Sequence, residues 1–412
     1  MSDKRYVVRC EKLEQPEARD AYLDHARLFF NISGAEDDET GAVVGAEAEY
    51  ATVLDAAGVQ AFRAASNLIS LEEDPDVTED ETVVEAGRDD LSVMNVPAAH
   101  QKGYKGQHSK IAIVDTGVNA HQEFGKRYEY QRNYTNDGAA DKRGHGSHVA
   151  GSACGGTFGV APEAKLRSYK ALGDNGSGSG SWISAAIRNA VDDGCNVINC
   201  SLSGRGSPDG VMGRAVQYAT NKGANVVVSA GNNYGDISGQ LGQEANGNAP
   251  SNQPEAITVA AVSRNKQVAS FSAGGKVVDV AAPGVHVQSI GGSKSGTSMS
   301  APHAAGVLAL VDPEEHGRAE REDALLDMAS PLSAPVTRIG SGMVDAESYV
   351  EFLEPVKPEP KPEPKPKDPE KKEPVVWRGS RWQWLLDNSA PAPAILSYQG
   401  KDVWRVERID GS

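Results

Sequence analysis

Three short apolar runs, each closing on polar residues, constrain this chain most: KIAIVDTGV, NVINCSL and NVVVSAGN, spread between residues 110 and 232. Stretches of helical character separate and follow them: HGSHVAGSAC, SWISAAIRNAVDDG, VMGRAVQYATNKG and SMSAPHAAGVLALV. Strand-helix alternation over residues 91–350 predicts an α/β fold, a parallel sheet with helices on both faces. In such sheets ligands and chemistry gather at the carboxyl ends of strands. Asp115 and Asn232 stand at two such ends. The 44 glycines, many between residues 138 and 306, fit a scaffold of tight turns and close backbone approaches.

Four residues offer the parts that hydrolysis of an amide needs: a nucleophile, a base, a group that orients the base, and an oxyanion donor. Asp115 closes an apolar strand, where a carboxylate is costly unless partnered; it could equally cap the following turn. His145, flanked by Gly144 and Gly146, opens a helix in RGHGSHVAG. With His148 it could instead ligate a metal, although the H-E-x-x-H spacing of metalloproteases is absent. Ser298 in SGTSMSAPHAAG begins an apolar helix, where its own N–H can face an oxyanion; a plain helix-capping serine is the alternative. Asn232 in VVVSAGNN follows a strand across Gly231, as a donor or as a turn residue.

In the order Asp, His, Asn, Ser these motifs resemble those of the subtilisin-like serine proteases, the subtilases, over about residues 91–350. They are most similar to the proteinase K branch, because only SACGGT separates the His helix from FGVAP; the longer loop there that holds a strong calcium site in many subtilisins is missing. The resemblance implies a serine endopeptidase with Asp115, His145 and Ser298 as triad and Asn232 in the oxyanion site, acting on polypeptides without a required cofactor. It implies two backbone edges for an extended substrate, at Gly176, Ser177 and Gly178 and at Ser201, Leu202, Ser203 and Gly204. It implies a side-chain pocket walled by Ser229, Ala230 and Gly231, and a cis-proline at Pro250. It also implies a structural calcium ion held by Asp279 with the carbonyls of Pro254 and Ala256. The chain departs from the family at Ser147, usually Thr, at Ser300 and Ala301, usually Ala followed by Ser or Thr, and in the insertion GDISGQLGQEANGN.

Residues 1–80 read as strand, helix, strand, helix, strand. They resemble the small ferredoxin-like α+β propeptide of the family, implied to assist folding and then block the cleft as an intramolecular inhibitor. Residues 81–90 form an acidic activation linker, with the cut expected within residues 76–90. The catalytic domain follows over 91–352. Residues 353–374 are a Pro/Lys/Glu spacer of extended polyproline character, and 375–412 a small module with Trp377, Trp382, Trp384 and Trp404. This tail reads either as a hairpin docking module for an unidentified partner or as a Trp-stapled mini-core without one.

A formal net charge of -16 argues against nucleic acid as a partner. No run of about 18 apolar residues occurs, and MSDKRYVVRC has no signal-peptide pattern, so no membrane partner and synthesis in the cytoplasm are expected, with later release or packaging into a particle left open. Cys10, Cys154, Cys195 and Cys200 are expected as free thiols, since residues five apart on an extended run cannot bridge. Two rivals stand beside the protease. A catalytically silent binding or particle-structural protein of the same shape would have no need of all four catalytic residues. A non-protease acyl hydrolase would need a G-x-S-x-G elbow that the chain lacks.

Overall fold

The computed structural model describes residues 90–232 and 248–354, together with Pro75 and strands near both ends. Contacts divide the chain into residues 1–355 and 356–412, taken separately below.

Near the N-terminus, β1 (Lys4–Glu11) lies between β2 (Glu47–Leu54) and β3 (Leu68–Glu73) in an antiparallel sheet. Its register runs from Lys4 opposite Leu54 to Glu11 opposite Glu47. These are the three strands expected there. The helices expected between them fall outside the described residues.

The next strand, β4 (Asp76–Glu79), leaves that sheet and pairs with the body of the molecule. The body is built on seven parallel strands: β5 (Lys110–Asp115), β6 (Tyr128–Asn133), β7 (Lys165–Lys170), β9 (Val197–Cys200), β11 (Asn225–Ser229), β13 (Ala256–Val262) and β14 (Val280–Pro283). Their spatial order is β14-β13-β11-β9-β5-β7-β6. From β5 the chain builds outward first on one side and then on the other. Asp115, at the carboxyl end of β5, therefore stands at the point where strand order reverses, which is where such sheets open a crevice.

Side chains of a strand alternate between faces, and here both faces are buried. Ile111 and Ile113 point into one core with Val149 and Ala150 of α1 (His145–Cys154) and Ala304 and Leu308 of α4 (Thr297–Leu308). Ala112 and Val114 point into the other, with Ile183 and Ile187 of α2 (Gly180–Asp192) and Val216 of α3 (Val211–Asn221). A sheet sealed on both sides explains why its strands are nearly pure Val, Ile and Ala. The sequence run NVINCSL breaks at Ser201: β9 ends at Cys200, and β10 (Leu202–Arg205) joins a second sheet. That antiparallel sheet has the order β8 (Ser177–Ser179), β4, β10, β12 (Asn248–Ala249). The Ala249–Pro250 peptide is cis, at the proline the resemblance pointed to.

Cys154, Cys195 and Cys200 are buried free thiols, and burial pushes Cys154 and Cys195 up to about 12. Cys195 precedes β9 rather than lying in it; its sulfur is 3.8 Å from the Tyr169 hydroxyl. The Cys10 side chain is outside the described residues. In residues 356–412 the described part is a hairpin, β17 (Ala394–Tyr398) against β18 (Lys401–Val406), after β15 (Val287–Ser289) and β16 (Gly292–Lys294) of the body. Trp377, Trp382, Trp384 and the spacer from residue 355 onward lie outside the described residues. No helix among the described residues is long and apolar enough to cross a membrane.

Candidate active site

At the end of β5 the Asp115 carboxylate accepts two bonds through Oδ1: from the Thr116 backbone N–H at 2.7 Å, and from His145 Nδ1 at 2.7 Å. Both side chains are fully buried. A carboxylate that accepts from Nδ1 holds the ring in the tautomer whose Nε2 can take a proton. The close approach depends on Gly146: a Cβ there would run into the Gly117 carbonyl.

Helix α1 starts without a side-chain cap from Gly144, and its unpaired N–H groups find another acceptor. Asp141 Oδ1 accepts from Gly144 N at 2.8 Å and from the Thr116 hydroxyl at 2.8 Å; its Oδ2 accepts from Ser147 N at 2.9 Å and Ser147 Oγ at 2.6 Å. Thr116 Oγ1 in turn accepts from Gly146 N at 2.9 Å. One buried carboxylate thus ties the strand end bearing Asp115 to the helix start bearing His145. Sequence reading missed Asp141; its place four residues before His145 in DKRGH was the available signal. The Thr-to-Ser departure at Ser147 keeps the hydroxyl that this network uses.

His148, one turn along α1, is committed elsewhere. Its Nε2 lies 3.2 Å from the Val287 carbonyl and 3.1 Å from that of Gly292, joining the helix to the β15–β16 hairpin. Burial, the charges of His145 and Lys294 adding to it, holds His148 down to about 3, so it donates to these carbonyls as a neutral ring.

Ser298 is the second residue of α4, which packs against α1. Its Oγ donates to the Ser201 carbonyl at 3.0 Å, and Ser201 Oγ donates to the Ser298 carbonyl at 2.8 Å. Beside it, Thr297 donates twice to Asn232 Oδ1, from N at 2.9 Å and from Oγ1 at 2.9 Å. Thr297 Oγ1 also accepts from Gly231 N at 3.1 Å. With Oδ1 occupied by two donors, the Asn232 amide can face only one way. Its Nδ2 is buried without a hydrogen-bond partner among the described residues. A buried idle donor costs about 1–3 kcal/mol, so its retention beside a nucleophile-type hydroxyl points to an acceptor that arrives later. Thr297 was not singled out from sequence; its role lies in partners 65 residues away.

The two expected substrate edges are occupied. Strand β4 runs antiparallel between β8 and β10: Thr78 faces Ser177 and Ser203, Val77 faces Gly178 and Gly204, and Glu79 faces Leu202. A Cβ on Gly178 would strike the Ala171 carbonyl, so that edge stays open to backbone. Val77 is fully buried in the α2–α3 core. Upstream, Pro75 gives its carbonyl to Gly180 N at 2.8 Å, and Glu72 pairs with Arg214 of α3 at 2.8 Å. Gly176 sits in the turn before β8 with φ +79° and does not pair with β4. Ser229, Ala230 and Gly231 are buried; Ser229 Oγ donates to the Leu202 carbonyl at 3.4 Å.

Away from the cleft, Asp279 precedes β14 and accepts from Thr258 N at 2.7 Å through Oδ2. Burial, with a smaller contribution from Glu322, pushes its carboxyl up to about 7. Pro254 and Ala256 lie just upstream of Thr258 on the same strand approach. No cluster of three His, Cys, Asp or Glu ligands occurs among the described residues, so a metal here would rest on one carboxylate and backbone carbonyls.

A family model described as the Subtilase family matches residues 106–330. An alkaline protease of Alkalihalobacillus alcalophilus is 36% identical over 291 residues, covering 68% of this chain and 73% of its own. Subtilisin Savinase of Lederbergia lenta is 36% identical over 271 residues, covering 63% of this chain and 96% of its own. Subtilisin E of Bacillus subtilis is 35% identical over 279 residues, covering 63% and 69%.

Proposed function

This chain belongs to the subtilase family and is a subtilisin-like serine endopeptidase acting on polypeptides, and from that premise we propose that Asp115, His145, Ser298 and Asn232 form its catalytic unit. His145 takes the proton of Ser298, whose oxygen attacks the scissile carbonyl. Asp115 keeps the ring in the required tautomer and stabilises its protonated form. Asn232 Nδ2 and the Ser298 N–H bind the oxyanion. His145 then protonates the leaving amine, and water releases the acyl group. The observation that carries this reading is the Asn232 amide, locked by Thr297 with Nδ2 buried and unused beside Ser298. A fluorophosphonate should label Ser298 of the wild-type chain once the cleft is open, and should not label Ser298→Ala. Absence of label would favour a catalytically silent binding protein of the same shape.

Residues 176–178 and 201–204 are assigned to the substrate edges, and 229–231 to the side-chain pocket wall. The lodging of β4 between these edges supports residues 1–80 as a propeptide that inhibits its own cleft. Subtilases need no catalytic cofactor. A structural calcium fits at Asp279 with the carbonyls of Pro254 and Ala256: a buried carboxylate with a single backbone donor gains from a cation that favours its charged form. Activity should fall in acid, because the base must be neutral.

A further inference from the structure

A proline stands near the start of the helix that bears Ser298. Within an α-helix each N–H bonds the carbonyl four residues back. Pro302 lies inside α4, four residues after Ser298, and has no N–H to give. The Ser298 carbonyl takes a hydrogen bond from outside the helix instead: Ser201 Oγ donates to it at 2.8 Å, from the residue that follows β9. The Ser298 hydroxyl donates to the Ser201 carbonyl at 3.0 Å, so the two serines are joined twice.

One step further back, Asn199 Nδ2 donates to Ser201 Oγ at 2.9 Å. That bond occupies a lone pair of the Ser201 hydroxyl and leaves its proton for Ser298. Asn199, Ser201 and Ser298 are all fully buried. Asn199 stands in β9 opposite Ile113 of β5 and Val227 of β11, both part of the apolar core under α4. An amide in such a layer costs stability unless it is bonded. Among the described residues its Oδ1 has no hydrogen-bond partner, so the bond that compensates its burial is the one to Ser201.

We propose that Asn199, Ser201 and Pro302 are positioning residues for the nucleophile. Pro302 frees the Ser298 carbonyl, Ser201 captures it, and Asn199 orients the Ser201 hydroxyl. The first turn of α4 is thereby fixed to the end of β9 through the residue that reacts. When the Ser298 hydroxyl leaves the Ser201 carbonyl for His145, the bond to the Ser298 carbonyl remains, and it keeps Oγ and the Ser298 N–H aimed at one point. The inference rests on the reading of Ser298 as nucleophile and adds the residues that hold it in place.

The test is a double-mutant cycle on the full chain with the cleft open. It is read by the rate of labelling with a small fluorophosphonate and by kcat and KM on a peptide substrate. Ser201→Ala should slow labelling and lower kcat by about tenfold, with KM little changed because the backbone edge at 201–204 is kept. Ser201→Thr retains a hydroxyl and should recover most of that loss. Pro302→Ala supplies an N–H within the helix for the Ser298 carbonyl, and in that background Ser201→Ala should cost no more than about twofold. If circular dichroism shows that Ser201→Ala does not fold, Asn199→Leu takes its place in the cycle, with the same direction expected. Equal labelling of Ser201→Ala and wild type, or the same loss in both backgrounds, overturns this inference alone. A lowered melting temperature with kcat unchanged marks a merely structural clamp and overturns it too. A wild type that takes no fluorophosphonate overturns the nucleophile reading, and this inference with it.

Discussion

Single residues carry the sharpest consequences. Asn232→Leu keeps the size of the side chain but removes the donor, and should lower kcat by about a hundred- to a thousandfold, the range set by the corresponding donor in subtilisin. KM should change little, since the bond forms as the oxyanion develops. Asp115→Asn should cost about ten-thousandfold in kcat by favouring the wrong His145 tautomer. Stopped assays on a peptide substrate separate these from folding defects when circular dichroism is unchanged. Ser300 is a departure from the family, and its buried hydroxyl has no partner among the described residues. Ser300→Ala should therefore stabilise the protein, by about 1 kcal/mol in urea denaturation. His148 behaves in the opposite sense. Its folded-state value lies near 3 against an ordinary 6.5, so the unfolded chain binds the extra proton first. The stability from neutral His148 is present above pH 6.5 and lost as pH falls towards 3, by about 1.4 kcal/mol per pH unit. Replacing it by Gln should flatten that part of the stability profile.

At the scale of elements, what was legible in sequence follows from how local each signal is. Asp115, His145, Ser298 and Asn232, proposed as the catalytic unit, each sit in a short motif at a strand end or helix start, and their order resembles that of the subtilases, so a sequence reading singles them out. Asp141 and Thr297 were not legible, because each acts on partners brought near by the sheet: Asp141 on Thr116 and Ser147, Thr297 on Asn232 and Gly231. Strand β4 was read as part of an acidic boundary, since DVTE has a single apolar residue and no alternation to detect. It is a strand because two open backbone edges accept it on both sides and Val77 finds a buried site. Val77→Asp should therefore weaken inhibition by residues 1–80 added in trans. Burying the new carboxylate unpaired should cost several kcal/mol, read as a rise of at least a hundredfold in the inhibition constant.

For the whole molecule, the uneven distribution of charge along the chain has the broadest consequence. Residues 1–80 hold 19 of the 57 acidic and only 7 of the 41 basic side chains. The acidity that argued against nucleic acid is thus largely a property of the segment lodged in the cleft. A cut that released it would leave 38 acidic and 34 basic side chains, taking the formal net charge from -16 to -4 and the isoelectric point modestly upward, visible by isoelectric focusing of intact and cut chain. If calcium binds at Asp279, chelation should lower the melting temperature, and a hundredfold excess over Kd should contribute about 2.7 kcal/mol. Asp279→Asn should abolish the calcium response while leaving the chelated protein at least as stable, because the variant has no buried carboxyl to ionise.

The most direct measurement is a crystal structure of the processed chain with a phosphonate bound to Ser298. The account predicts a phosphoryl oxygen about 2.7–3.1 Å from Asn232 Nδ2, with His145 Nε2 within hydrogen-bond reach of the Ser298 oxygen and Nδ1 still on Asp115. A phosphoryl oxygen turned away from Asn232, or a Ser298 oxygen out of reach of the His145 ring, would contradict it.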